Sequence, residues 1–267
     1  MFFDNDNLLG IPQGRAAYSD RTAWLMAECS GLAYFKFEEG DRSEKQLAEQ
    51  LGRGHLELIQ TFNREGTQGY LAARKPSFAV LAFRGTEKDF RDILTDLNIR
   101  FYKDPAGGKV QAGFSRAYAV VADEVKEALE KLTVPLYITG HSLGGALATV
   151  ASMRIAPSDR IAACYTFGSP RVGDAEFEQK LYKVPVYRVV HAADIVSRVP
   201  LMAMGYRHTG DLRYLTRKGT VLRNPLQLRL LFRFIYSVVR SWRTIFRDHA
   251  IAAYRGKLAK WAEERQK

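Results

Sequence analysis

The chain has 267 residues, 46% of them hydrophobic, enough for one large α/β domain with a substantial core and too few for two of that type. Lysine and arginine outnumber aspartate and glutamate 40 to 29, a formal charge of +11 that predicts an acidic partner surface. No nucleic-acid module, zinc-type Cys/His spacing or P-loop is legible, which sets nucleic acid aside and leaves anionic lipid headgroups as that surface.

In chain order, residues 16–35 carry Tyr18, Trp24, Leu25, Ala27, Leu32 and Tyr34 at loose helical spacing, predicting a helix that breaks near Gly31. A second helix is predicted over 43–51, capped by Ser43 and stopped by Gly52 and Gly54. Residues 56–62 and 69–73 read as a strand pair turning at Glu65 and Gly66. The run FAVLAF at 78–83 is apolar throughout, the pattern of a strand buried on both faces. After it, Phe90, Ile93, Leu94, Leu97 and Ile99 fall at helical spacing, which a plain surface helix and a lid over an active site share. Residues 110–132 predict a strand-like entry and then one long helix. Strands follow at 136–139, 160–168 and 185–191, with a turn at 169–174 leading into a helix that ends near Tyr182. Residues 206–215 and 219–222 predict a closing hairpin with His208 inside it.

The chemistry gathers at residues 140–144, GHSLG, between a short apolar strand and a small-residue helix. This is a G-x-S-x-G nucleophile elbow, a tight turn that lifts the Ser142 hydroxyl clear of the sheet edge. Gly140 and Gly144 let its two arms pass where a Cβ would collide, and the helix start aims free N–H groups at any developing anion. In such a sheet the loop leaving a neighbouring strand supplies one oxyanion donor and the residue after the nucleophile supplies another. Thr86, following FAVLAF, and the N–H of Leu143 are therefore the candidates. Asp194 follows the predicted strand 185–191, at the carboxyl end where catalytic groups of open α/β sheets gather.

Seven stretches resemble, in order, the class 3 lipases, the fungal-type triacylglycerol lipase family: FRGT at 83–86, VQAGFSRAY at 110–118, ITGHSLGGALA at 138–148, YTFGSPRVGD at 165–174, ADIVSRVP at 193–200, YRHTG at 206–210 and DHAIAAY at 248–254. The resemblance implies an α/β-hydrolase fold, a central mostly parallel sheet flanked by helices. It implies Ser142 as nucleophile, Asp194 as acid, His249 as base, oxyanion stabilisation by Thr86 and the Leu143 backbone, and a lid just after Thr86. It implies no metal and no cofactor. The sequence departs from secreted fungal members in lacking a recognisable leader and disulfides, and in carrying an added basic segment.

The other histidines compete for the role of base. His141 points away from Ser142 and reads as a packing or hydrogen-bonding group under the elbow. His55 lies in a glycine-rich turn and reads as solvated, His208 sits in the hairpin, and His191, ending a strand close to Asp194, is the strongest rival. His249 follows the last core elements, where a returning loop can drop a base onto the elbow. Asp248 reads as a helix cap or surface charge, and Asp174 as a turn or cap residue that could line the site.

In residues 224–248, Arg229, Arg233, Arg240, Arg243 and Arg247 share one stripe, opposite Leu231, Phe234, Ile235, Val238, Trp242, Ile245 and Phe246. Five arginines on one stripe exclude a simple membrane span. The pattern fits an interfacial helix on an anionic membrane surface and a core-packed helix equally well. The expectation is therefore a single α/β-hydrolase domain over 1–267, with a basic amphipathic helical insertion at about 224–247 and a C-terminal helix at 250–266. Its expected activity is hydrolysis of lipid acyl esters, against two alternatives: an esterase for soluble or aryl esters, and a catalytically silent membrane-binding scaffold. Two cysteines, Cys29 and Cys164, read as free buried thiols in a reducing compartment, and with no basic-then-apolar leader the expected location is cytoplasmic or peripheral to a membrane.

Overall fold

The structure, a computed structural model, describes residues 1–11, 17–86, 100–156, 159–226 and 247–266. Two segments of interest lie outside the described residues: the lid-like piece at 87–99 and, at 227–246, most of the basic stripe.

In chain order the strands are β1 (Glu57–Arg64), β2 (Thr67–Arg74), β3 (Phe78–Phe83), β4 (Phe101–Lys103), β5 (Lys109–Gln111), β6 (Leu136–His141), β7 (Ile161–Phe167), β8 (Val186–His191), β9 (Asp211–Leu215) and β10 (Val221–Arg223). Among the described residues, β4 and β5 form a small antiparallel ribbon and the rest one sheet in the order β1-β2-β3-β6-β7-β8-β9-β10. From β3 to β9 neighbouring strands are parallel, and antiparallel partners close both edges. Every residue of β3, β6 and β7 is buried, because helices cover both faces of the sheet. Helices α1 (Asp20–Leu32) and, at the other end of the chain, α7 (Ile251–Glu264) pack together on one face. The opposite face carries α3 (Ala112–Ala119), α4 (Ala122–Glu130) and α5 (Leu143–Ile155), while α2 (Asp41–Arg53) leads into β1 and α6 (Ala175–Lys180) follows β7.

Several elements differ from their predicted form. Helix α1 ends at Leu32, one residue past Gly31, where the break is predicted, but it starts at Asp20, later than predicted. The single helix predicted to reach residue 132 is split into α3 and α4 at Val120 and Val121. The closing hairpin is shorter than predicted, with β9 starting at Asp211, so His208 precedes it instead of lying inside it. Strand β6 enters the elbow and α5 leaves it at near-contact distance. A Cβ on Gly140 would overlap the Gly144 carbonyl, and one on Gly144 would overlap the Phe83 carbonyl of β3. Closing three backbones on one another in this way sets the position of Ser142.

Candidate active site

Ser142 sits between β6 and α5 with φ 58° and ψ −127°, a backbone conformation that a side-chain-bearing residue holds only under constraint. Its N–H donates to the Phe167 carbonyl at 2.9 Å. The loop leaving β3 passes against it, since a Cβ on Gly85 would lie 2.6 Å from the His141 carbonyl oxygen and 3.2 Å from Ser142 Cβ. Arg84 fixes that loop, donating from Nε to the Ala33 carbonyl at 2.6 Å and pairing with Glu38 at 2.5 Å. Thr86 and Leu143 thereby line one cavity of about 320 Å³, together with Gln68, Ala117 and Leu147.

Asp194 follows β8 and is 1% exposed. Its Oδ1 accepts from the Val196 N–H at 2.9 Å, and its Oδ2 accepts from His249 Nδ1 at 2.9 Å and from the Tyr254 hydroxyl at 2.6 Å. Residues 55 and 60 positions apart in sequence so converge on one carboxylate. The His249 ring packs on His141 with centroids 4.5 Å apart and the planes tilted by 32°, which places it beside the residue that precedes Ser142. The His249 carbonyl takes a hydrogen bond from His141 Nε2 at 2.6 Å. A carbonyl only accepts, so Nε2 carries the His141 proton and Nδ1 accepts from the Tyr34 hydroxyl at 2.7 Å. Burial first, then the neighbouring His249, hold His141 well below the ordinary imidazole value, in agreement with that neutral tautomer.

The remaining candidates fall elsewhere. His191 is buried with Nδ1 on the Asp248 carbonyl at 2.9 Å, and it is His249 that reaches the Asp194 carboxylate. His208 is set among Arg188, Arg171 and Arg198, and His55 is exposed in its turn. Asp174 caps α6, accepting from the Phe177 and Lys109 N–H groups, each at 3.0 Å. Asp248 corrects the expectation of a cap or surface charge. At 3% exposure it pairs with Arg217 at 2.9 Å and accepts from the Ala193 N–H at 3.2 Å, tying the loop that carries His249 to the turn that carries Asp194. Tyr254 was not foreseen, because its spacing on α7 marks it as a core residue and hides what its hydroxyl does; that hydroxyl also accepts from the His191 N–H at 3.0 Å.

The family model described as Lipase (class 3) matches residues 80–204. The solved structure of lipase II from Rhizopus niveus is similar with a TM-score of 0.58 at 30% identity, over 72% of this chain and 77% of that one. The chain belongs to the class 3 lipase family. Its sheet and flanking helices are those of the α/β-hydrolase fold, as the sequence implied. A lipase of Rhizopus oryzae is 39% identical over 172 residues, 57% of this family member and 43% of the relative. A secreted mono- and diacylglycerol lipase of Malassezia restricta is 32% identical over 207 residues, 69% and 66% of the respective chains. The chain thus spans less than half the length of the Rhizopus relative it matches. These relatives also correct the expected cytoplasmic or peripheral-membrane location. The Malassezia protein and others in the family are named as secreted, which points outside the cell.

Two outcomes follow for this family member. Tyr254→Phe removes a donor from a buried carboxylate, a bond to a charged group worth about 1.5–3 kcal/mol, and is expected to lower kcat roughly tenfold or more with KM little changed. Unaltered kcat would show that the hydroxyl does not hold Asp194. Second, His141, His191 and His208 are all held below the ordinary value of 6.5, mainly by burial. Below pH 6.5 the unfolded chain takes up protons that the folded chain refuses, so stability present above that pH is lost as pH falls, at about 1.4 kcal/mol per pH unit for each proton. Urea unfolding at pH 7.5 and 5.5 measures the loss, and equal midpoints would contradict it.

Proposed function

We propose that residues 1–267 form one α/β-hydrolase domain that cleaves lipid acyl esters through an acyl-enzyme, with Ser142, His249 and Asp194 as its triad. The observation that supports this most is the 2.9 Å bond between His249 Nδ1 and the Asp194 carboxylate, beside the constrained backbone of Ser142. As Ser142 Oγ attacks the ester carbonyl carbon, His249 Nε2 takes its proton and the carbonyl electron pair moves onto oxygen. Thr86 and the Leu143 N–H stabilise that oxyanion, aided by the positive end of α5. The tetrahedral species expels the alcohol, which leaves with the proton from His249. Water then attacks the acyl-enzyme by the same route, releasing the carboxylic acid and free Ser142. Through both halves Asp194 keeps the imidazole in one tautomer and offsets its charge.

For the substrate, the relatives carry the names of lipases and of mono- and diacylglycerol lipases. Past Asp194, Leu201, Met202 and Met204 are 52%, 56% and 44% exposed, an apolar stretch suited to a lipid–water interface. Labelling with a fluorophosphonate, alongside rates on a short soluble ester, a triacylglycerol emulsion and phospholipid vesicles, tests the reading. The label is expected on wild type and absent from Ser142→Ala, whose turnover drops about 10⁴-fold or more, with emulsified acylglycerol favoured over soluble ester. Labelling that survives in Ser142→Ala, or no hydrolysis of any of the three substrates, would overturn it.

A further inference from the structure

On the sheet face opposite α1, Thr166 Oγ1 and Arg188 Nε are buried without hydrogen-bond partners among the described residues, and so is Nε of Arg171, whose charge acts on Arg188. Thr166 and Arg188 are register partners on the parallel strands β7 and β8, so their side chains leave the sheet on the same side. Arg171 follows β7 and is pinned over this region by its own backbone and side chain. Its N–H donates to the Val199 carbonyl at 2.8 Å, while Nη1 donates to the carbonyls of Arg198 and, at 2.8 Å, Pro200. The next stretch is held alongside by the Arg207 N–H on the Gly173 carbonyl at 2.8 Å.

The charge at this place is predominantly positive. No hydrogen bond or ion pair is made by the Arg188 side chain among the described residues, although Nε is sealed and the rest of the residue is half-buried. Burial and the charge of Arg171 press Arg188 down to about 10, and burial with the charges of Arg198 and Arg207 does the same to Arg171. His208 is held well below its ordinary value by burial and then by Arg188, Arg171 and Arg198. Glu178 and Asp211 are felt by Arg188 without bonding it. A guanidinium taken out of water without a partner is costly, and proteins ordinarily offset it with a counter-charge. The donor set comprises two guanidinium Nε–H groups and a hydroxyl, from β7, the segment after it and β8.

We propose that Arg171, Arg188 and Thr166 form a binding site for a phosphate-class oxyanion, separate from the Ser142 site. Arginine forks match the tetrahedral oxygens of phosphate, and an ion there offsets the mutual repulsion of the cluster. The ion's source is either free phosphate or the phosphate of a glycerolipid headgroup. The bound anion bridges β7 and β8 to the 196–207 stretch, whose first turn bonds Asp194, so occupancy braces the segment next to the candidate acid.

Thermal unfolding of the whole chain tests this, in chloride of matched ionic strength against inorganic phosphate, glycerol 3-phosphate and a short-chain phosphatidic acid below its micelle concentration. At 10 mM and a millimolar Kd the midpoint is expected to rise by about 3 °C. A rise with inorganic phosphate and glycerol 3-phosphate assigns the site to free anions. A rise confined to the phosphatidic acid assigns it to a lipid headgroup. Arg188→Met is expected to abolish the rise while unfolding in chloride at the wild-type midpoint or above it, and Arg188→Lys to keep part of the rise. No rise in wild type with any of the three, or the same rise in Arg188→Met, would mean a water-filled polar pocket and overturn the proposal. A marked fall in the chloride midpoint of Arg188→Met would do the same, because it would show the guanidinium to be already neutralised.

Discussion

The buried Asp194 carboxylate is the point on which the turn after β8 and the C-terminal helix meet. It receives a backbone N–H from its own turn, an imidazole from the loop before α7 and a phenol from α7 itself. A carboxylate taken out of water needs such donors, since burying it unpaired costs more than the fold can supply. The constraint runs both ways, because the same bonds hold α7 against the turn after β8 and keep His249 packed on His141 beside the elbow. Asp248 and Arg217 repeat the arrangement one residue earlier, so the loop carrying His249 is tied down on both sides.

Ser142 depends on a second constraint, the contact of three backbones around two glycines. The strain at Ser142 is held by its N–H on Phe167 of β7 and by the loop that Arg84 anchors to Ala33 and Glu38. Parts of the chain with no chemistry of their own, α1 and the short turn at 37–39, thereby govern where Thr86 lies relative to Leu143.

Much of this was legible because the pattern and the physics coincide. Strands covered on both faces leave continuous apolar runs, as β3 does, and an elbow demands glycine at fixed places. Other features left no distinct trace. Phe114, Tyr118, Val121, Val125 and Leu129 keep a spacing of three or four through the break between α3 and α4, so periodicity reads one helix where two pack on the same core. Asp248 looks like any charge beside a helix start until Arg217, 31 residues earlier, is seen to reach it. Tyr254 keeps the spacing of a core residue and hides a polar role. The cysteines misled for a physical reason: both thiols are buried and pushed up to about 12 by that burial, so they are protected in any compartment and say nothing about which one the protein occupies.

On the proposed mechanism the hydroxyl, the imidazole and the oxyanion donors act on one substrate group. A crystal structure of the chain inactivated by an alkyl phosphonate ester measures this directly, because the phosphonyl oxygen stands where the oxyanion forms. The expected adduct has phosphorus bonded to Ser142 Oγ, the phosphonyl oxygen about 3 Å from Leu143 N and from a donor of Thr86, and His249 Nε2 in hydrogen-bond reach of an ester oxygen with Asp194 still on Nδ1. Phosphorus on another residue, or a His249 ring turned away from the adduct, would contradict it.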